Sequence, residues 1–158
     1  MQRVASLVGT FSGVMRLDLD GFSLDLPPCW SGLEDVTYSD PTTLPPVAFA
    51  ADGGLGRLMV AELLFEDDEE PGTEPSAIKA LAIAWGKRRR VQPLELAALD
   101  CSEGAAATAT YFVRGCFVQV WFLSNGERVV QASYVCPWEQ RSAEQNERES
   151  IMRSLRWS

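Results

Sequence analysis

The sequence predicts one α+β domain built on a mainly antiparallel sheet with helices beside it. Two observations predict the sheet: Asp20-Gly21 and Asn125-Gly126 are strong hairpin signals, and each lies between segments rich in strand-forming residues. A third observation, two segments with helical residue spacing, predicts the helices. The chain has 158 residues, of which 46% are hydrophobic, so we expect residues 1–158 to form a single domain with a sizeable core.

The first predicted hairpin covers residues 15–26, where apolar and polar residues alternate on both sides of the turn. With a two-residue turn the apolar residues share one face, and Arg16 lies opposite Asp25 on the other face. Pro27-Pro28 ends this hairpin because proline has no backbone N–H to donate. The expected pairs on the apolar face are Leu19 with Phe22, Leu17 with Leu24, and Met15 with Leu26.

The middle of the chain is predicted to contain three strands, an acidic loop and a helix. Residues 33–38 and 47–51 match short strands, and residues 57–65 form an apolar run that predicts an interior strand. Five adjacent carboxylates follow and predict a solvated loop, because they would repel one another in a packed element. The helix is expected to begin near Pro75 or Ser76 and to end at the basic run 87–90, whose cations complement the helix dipole. The five acidic residues are Glu66, Asp67, Asp68, Glu69 and Glu70, and the apolar stripe of the helix is Ile78, Leu81, Ala82 and Trp85.

The last third of the chain is predicted to form four strands and a terminal helix. The strand expected at 116–124 is apolar on both faces, with Trp121 on one face and Phe122 on the other, and this pattern predicts a central strand. The helix expected at 138–155 should face mostly solvent and be anchored near its end. The other three strands are expected at 94–99, 106–114 and 127–135, and the helix has Glu144 with Arg148 and Glu149 with Arg153 at ion-pair spacing.

The four cysteines are predicted to be free thiols that pack as small apolar side chains. They form no C-x-x-C motif and have no histidine beside them, so a zinc site is not expected. If Asn125-Gly126 is a two-residue turn, Cys116 lies opposite Val135, and Cys136 then points to the other face of the sheet. A disulfide between these two cysteines would need a bulge. The remaining two are Cys29 and Cys101.

The chain has no histidine and a net charge of −8, and both facts narrow the function. Histidine is the usual acid or base near neutral pH and the commonest metal ligand, so we expect no enzyme, no metal and no cofactor. An acidic surface repels nucleic acid and membranes, and it attracts basic proteins. No stretch approaches the roughly 18 apolar residues that a spanning helix needs. We therefore expect a cytoplasmic protein whose partner is another protein.

Two parts of the chain carry a family resemblance. Residues 21–30, Gly-Phe-Ser-Leu-Asp-Leu-Pro-Pro-Cys-Trp, are similar to the opening strand and P-x-x-W corner of PsbP-like and DcrB-like domains. Residues 132–135, Ala-Ser-Tyr-Val, and residues 151–155, Ile-Met-Arg-Ser-Leu, resemble their Tyr-containing strand and closing helix. The resemblance implies a curved antiparallel sheet between helices, and it covers most of residues 21–156. The chain departs from the pattern in the strand before Asp20-Gly21 and in the acidic loop.

The resemblance implies a role in binding, and it leaves two main uses open. One is an immunity protein that neutralises a secreted bacterial toxin, and the other is a chaperone for type VI secretion effectors. Acidity favours the first use, because an acidic inhibitor can occupy the cationic cleft of a nuclease toxin. The acidic residues 66–70 are the predicted contact, although such a run is also typical of a solvated loop. A chaperone would instead present an exposed apolar groove. A small enzyme and a purely structural module are the remaining alternatives.

Overall fold

The computed structural model describes residues 6–11, 13–33, 41–64, 72–100 and 104–158, and for 6–11 it describes the backbone alone. Within these residues the strands form two sheets. The larger has seven antiparallel strands in the order β4-β5-β6-β10-β9-β8-β7, and the smaller has four in the order β1-β2-β3-β11. The elements are β1 (Ser6–Phe11), β2 (Val14–Leu19), β3 (Phe22–Leu26), β4 (Trp30–Leu33), β5 (Val47–Ala51), β6 (Arg57–Glu62), α1 (Pro75–Arg88), β7 (Glu95–Leu99), β8 (Ala105–Val113), β9 (Cys116–Ser124), β10 (Val129–Pro137), a 3₁₀ turn (Trp138–Gln140), α2 (Gln145–Arg153) and β11 (Arg156–Trp157). This architecture confirms the predicted α+β class with a mainly antiparallel sheet.

The β2–β3 hairpin confirms the first predicted turn and its register. Leu19 pairs with Phe22 and Leu17 with Leu24, as the two-residue turn requires. On the opposite face Arg16 Nη1 donates to Asp25 Oδ1 at 3.1 Å. The alternating pattern therefore fixed both the register and the buried face of this hairpin. Two strands that the sequence did not predict complete the smaller sheet, because β1 pairs with β2 and β11 pairs with β3.

Strand β9 lies between β10 and β8 inside the larger sheet. Trp121 points to the face covered by the smaller sheet and α2, and Phe122 points to the face covered by α1. Both side chains are nearly inaccessible, with exposed fractions of 2% and 1%. The prediction of a central strand with two apolar faces is therefore confirmed. The extended strands alternate their side chains, so one residue step changes the layer into which a side chain packs.

The β9–β10 loop is two residues longer than the predicted turn. Pairing resumes at Ser124 with Val129, because the Asn125 side-chain oxygen accepts backbone N–H bonds from Glu127 at 2.9 Å and Arg128 at 2.8 Å. This arrangement closes a four-residue loop over 125–128. The lengthened loop shifts the register by two, and a shift of two keeps every residue on its predicted face.

The cysteines of this hairpin therefore point to opposite faces, as predicted. Cys116 pairs with Pro137, and Cys136 pairs with Phe117. Cys29, Cys116 and Cys136 are free thiols, and Cys101 lies outside the described residues. Only Cys136 of these three is buried. The prediction that the cysteines pack as buried side chains therefore holds for Cys136 and is wrong for the exposed Cys29.

Helix α1 packs its apolar stripe on the larger sheet, as predicted. Ile78, Ala82 and Trp85 are buried there. Beyond the last turn, the Arg89 guanidinium stacks 3.8 Å above the Trp85 ring and its Nη1 donates to the Trp85 carbonyl at 3.1 Å. The basic run therefore closes the helix by contacts with the final carbonyls and with an aromatic face. Neither helix in the described part of the chain has the length and apolar character needed to cross a membrane.

The C-terminal helix is shorter than predicted, and its buried stripe begins earlier, at Arg148. The 3₁₀ turn is separated from α2 by residues 141–144, and Glu144 has φ −121°, outside the helical range. Arg148, Ile151 and Met152 are buried, but five of the nine residues of α2 are exposed, so the helix faces mostly solvent, as predicted, and buries one stripe. Positions 148, 151, 152 and 155 have the spacing of one helix face. Because residue 148 is a charged arginine, the sequence did not indicate that this position is part of the buried stripe.

Several predictions lie wholly or partly outside the described residues. The strand expected at 33–38 overlaps β4 at Leu33 alone, and the interior strand expected at 57–65 is β6, which ends at Glu62. The acidic residues Glu66, Asp67, Asp68, Glu69 and Glu70 all lie outside.

Gly86 allows α1 to approach Tyr111 closely, and this contact reverses the usual effect of alanine in a helix. A Cβ at Gly86 would lie 2.4 Å from Tyr111 Cε1. Tyr111 is buried and its hydroxyl donates to the Ala82 carbonyl at 2.6 Å, so the ring cannot move freely. We expect Gly86→Ala to lower the free energy of unfolding by about 1–3 kcal/mol through overpacking, although alanine favours a helix by about 1 kcal/mol. Urea unfolding measures this change, and a second substitution, Tyr111→Leu, should recover part of it. A stabilised Gly86→Ala variant would contradict the close contact.

Candidate binding cleft

A cleft of about 790 Å³ lies between the larger sheet and the C-terminal segment. Its floor is the face of β8 and β9 that carries Ala106, Trp121 and Leu123. Met152 of α2 and Leu155 form the opposite wall. Because alternate residues of neighbouring strands share a face, the floor is assembled from positions that are paired across β8 and β9. The cleft falls within the size range of ligand sites in proteins, about 300–1,000 Å³.

The apolar floor also contains two polar side chains, and they satisfy each other. Gln119 Nε2 donates to Thr108 Oγ1 at 3.0 Å, and Thr108 Oγ1 donates to the Val120 carbonyl at 2.8 Å. Arg148 Nε donates to the remaining oxygen of Gln119, Oε1, at 3.0 Å. Each of these groups already has a protein partner, so the floor can receive an apolar group without leaving these atoms unpaired.

Arg148, on α2, is a buried cation beside the cleft residue Gln119. Its exposed fraction is 2%, and its guanidinium lies 5.0 Å from the Phe117 ring centre and 4.6 Å from the Tyr134 ring centre. Nη1 has no hydrogen-bond partner among the described residues. Burial lowers the pKa of Arg148 below its usual value, because a low-dielectric interior disfavours the charged form. The aromatic faces offset part of this penalty and hold α2 against β9 and β10.

Helix α2 is fixed by hydrogen bonds from three strands. The Tyr134 hydroxyl donates to Glu144 Oε1 at 2.6 Å, just before the first turn of α2. The Trp30 indole Nε1 donates to Glu147 Oε2 at 2.5 Å, and the Asp25 backbone N–H donates to Ser154 Oγ at 2.8 Å. The wall of the cleft is therefore attached to β10, β4 and β3, and the cleft is held in a fixed shape.

The mouth of the cleft carries two carboxylates and two guanidinium groups. Arg156 Nη1 donates to the Arg153 carbonyl at 3.2 Å and to the Leu155 carbonyl at 3.0 Å, so this cation caps the end of α2. Asp100, at the end of β7, and Arg153 are exposed. The arrangement can bind an apolar side chain in the cleft and select its charged neighbours at the mouth.

The cleft was not predicted from the sequence, and the predicted contact was residues 66–70. The described residues on either side of that run, Leu64 and Gly72, are exposed, and Thr73 Cγ2 is 3.2 Å from the position of a Cβ on Gly126. On the other side of the gap, the Leu63 N–H donates to the Val129 carbonyl at 2.8 Å, so described residues on both sides lie near the β9–β10 loop. A sequence signal for the cleft was present in Gln119, the polar residue in the apolar run of β9.

The two sheets and their helices define a PsbP-like α+β fold. The solution structure of cyanobacterial PsbP (CyanoP) from Synechocystis sp. PCC 6803 is similar, with a TM-score of 0.67 and 15% identity over 96% of this chain and 95% of that chain. A crystal structure from Bacteroides thetaiotaomicron VPI-5482 has a TM-score of 0.51 and 13% identity, over 87% of this chain and 45% of that chain. At these identities the likeness shows the fold alone, and it confirms the PsbP-like part of the resemblance. No protein-family model matches the sequence, and no curated protein matches it.

The Tyr134–Glu144 contact predicts a loss of stability in alkali. Burial and the hydrogen bond to Glu144 raise the pKa of Tyr134 above its usual value of 10.0. The unfolded chain therefore releases this proton first, and above about pH 10 it binds fewer protons than the folded chain. The stabilisation that the raised pKa of Tyr134 contributes is complete below about pH 10. Above about pH 10 it is lost at up to about 1.4 kcal/mol per pH unit. Burial also raises the pKa values of Tyr111 and Cys136, which add to the loss.

Urea unfolding between about pH 8 and pH 11 measures this dependence. Tyr134→Phe should be less stable than the native protein at neutral pH, because Glu144 loses its donor, and its stability should fall less steeply in alkali. An alkaline slope that is identical in the two proteins would show that Tyr134 does not contribute to it.

Proposed function

We propose that this protein is a cytoplasmic immunity protein that binds and neutralises a secreted bacterial toxin, with a nuclease as the expected kind. The chain carries a net charge of −8, and this charge favours a basic partner such as the phosphate-binding cleft of a nuclease. The PsbP-like resemblance adds support, since domains of this kind include immunity proteins. The fold by itself does not define a function.

The observation that carries the proposal is the fixed cleft beside β7. Its floor is apolar and internally hydrogen-bonded, and its mouth has charged side chains that solvent can reach. Protein interfaces combine these two features, an apolar anchor site and a polar rim that excludes water. A cleft held in shape by three strands also loses little conformational entropy when a partner enters it.

Co-expression tests the proposal. Products of genes adjacent to the one that encodes this chain are expressed in a bacterial host, alone and with this protein. We expect one product to stop growth alone and to be tolerated with this chain, and the purified pair should form a stable complex. If none is toxic alone, or if toxicity is unchanged by this chain, the immunity function is wrong.

The acidic residues Glu66, Asp67, Asp68, Glu69 and Glu70 remain the predicted rim contact. Replacing them with glutamine and asparagine should change the free energy of unfolding by less than about 0.5 kcal/mol, as surface substitutions usually do. Association with the toxin found by co-expression should slow by about tenfold at low ionic strength and lose its salt dependence, because rim charges act mainly on the association rate. Stopped-flow binding at two salt concentrations measures this effect. An unchanged association rate would show that residues 66–70 do not contact the toxin and serve only as a solvated loop.

The alternative function is a type VI secretion effector chaperone, and the apolar cleft floor is the observation that favours it. The exposed apolar area of the cleft is nevertheless small, because Trp121, Leu123 and Met152 are each less than 10% exposed. An effector helix would therefore find little apolar surface to cover. A chaperone would keep an effector with an apolar N-terminus soluble in co-expression, and it would give no rescue from toxicity. This pair of results would favour the chaperone over the immunity protein.

A further inference from the structure

Strand β7 is the last strand at one edge of the larger sheet. Among the described residues its backbone pairs with β8 alone. Leu94 extends this pairing, since its N–H donates to the Thr110 carbonyl at 2.8 Å. In an antiparallel edge strand every second residue directs its N–H and C=O away from the sheet, so β7 offers backbone groups to another strand.

Residues 96–99 of β7 lack the charge, proline or bulge that usually protects a sheet edge. Edge strands commonly carry lysine, proline or a bulge, which prevents pairing with other chains. Residues 95–99 are Glu-Leu-Ala-Ala-Leu and pair with β8 in an unbroken register. Apart from Leu96, which is partly buried, these side chains are exposed.

The cleft runs beside this edge on one face of the sheet. Leu99 lines the cleft opposite Ala106, and Ala97 lies opposite Thr108 on the same face. Leu96 points to the other face and packs against the α1 cluster. A strand added beside β7 would therefore place alternate side chains at the cleft and at the α1 side.

The charges at β7 define the chemistry of its partner. Glu95 begins the strand and Asp100 follows it, and both are exposed, while the residues between them carry no charge. The Cα atoms of these two residues are about 17 Å apart along an extended chain. They match an extended apolar segment with a lysine or arginine at each end.

We propose that β7 binds its partner by strand addition, and that the occupant is an extended, alternately apolar segment of a partner protein with a basic residue at each end. This inference rests on the proposed function, because it takes the basic toxin as the source of that segment. The added strand would supply main-chain hydrogen bonds, and its cleft-facing side chains would supply specificity.

A labelled synthetic peptide tests the edge without the toxin. The first probe is a peptide of alternating valine and threonine with a lysine at each end. The second probe has the same alternating sequence with a glutamate at each end. Fluorescence anisotropy at low salt should show binding of the lysine peptide about tenfold tighter than the glutamate peptide, as two exposed ion pairs can supply. The variant Glu95→Gln/Asp100→Asn should lose this preference. The control Asp52→Asn/Glu127→Gln, with the same charge change at exposed positions outside β7, should keep it.

Two proline variants test the backbone pairing. Adjacent residues direct their N–H groups to opposite sides, so one of Ala97→Pro and Ala98→Pro breaks the pairing with β8 and the other removes an outward donor. The variant that keeps the native melting temperature should lose peptide binding. Hydrogen exchange of the native protein is the second measurement, and the peptide should slow exchange of the β7 amides. Normal peptide binding by the folded proline variant, or no protection of β7, would overturn strand addition.

The outcomes separate this inference from the proposed function. β7-dependent peptide binding without rescue from any toxin would overturn the immunity function and leave strand addition supported. Rescue that the folded proline variant retains would overturn strand addition and leave the immunity function supported. A third outcome is that the native protein forms a concentration-dependent dimer that the same variant abolishes. That result would show that β7 pairs with a second copy of this chain, and it would overturn the proposal that a partner protein binds there.

Discussion

Replacing Trp121 with alanine should lower the free energy of unfolding by about 3–5 kcal/mol. Its side chain is 2% exposed and lies on the central strand β9, where it is paired with Thr108 and Ala132 of the flanking strands. Truncation removes a large apolar area from the cluster shared by the two sheets, and the paired backbones prevent the gap from closing. Small domains have about 5–15 kcal/mol of stability in total, so this variant should be marginal.

Urea unfolding with Trp138→Ala as the matched control tests this prediction. Trp138 is only half-buried, and it packs at the margin of the core, edge-on to Phe112 at 5.1 Å. The same truncation there removes less buried area, so we expect a loss of about 1–2 kcal/mol. Equal losses at the two tryptophans would show that the contact between the sheets does not depend on Trp121.

Local patterns explain the parts of the fold that could be predicted. The alternation in residues 15–26 and the Asp20-Gly21 turn fix the β2–β3 register within one hairpin, and the two apolar faces of 116–124 place β9 inside a sheet. The stripe from Ile78 to Trp85 needs only helical periodicity to define the buried face of α1. In each case the information lies within a few residues of the element that it specifies.

The cleft could not be predicted in the same way, because its parts are distant in the sequence. Leu99, Trp121 and Met152 come from an edge strand, a central strand and a helix, and only the packing of these elements brings them together. Arg148 shows a different difficulty. Its spacing from Ile151 and Leu155 indicates a buried position, but the cost of burying a charge favours the opposite interpretation. The structure resolves this conflict through Gln119 and two aromatic rings, all outside the helix.

Gln119→Leu should lower the free energy of unfolding by about 3 kcal/mol or more, because it leaves the Arg148 guanidinium buried without its acceptor. Leucine is similar in size and apolar, so burial alone would predict a gain in stability. Thr108 keeps its bond to the Val120 carbonyl, and the loss therefore falls mainly on Arg148, whose Nη1 already lacks a partner.

A double-mutant cycle separates this cost from a packing defect. Replacing a buried charge with an apolar side chain of similar length removes the desolvation penalty, so Gln119→Leu/Arg148→Met should be more stable than Gln119→Leu alone. Arg148→Met alone leaves the Gln119 oxygen unpaired, which costs about 1–3 kcal/mol, and the second substitution should remove this cost as well. The four proteins unfolded in urea at one pH give the coupling energy. If the double variant loses the sum of the two single losses, the two side chains act independently, and Gln119 does not stabilise the buried cation that holds the wall of the cleft.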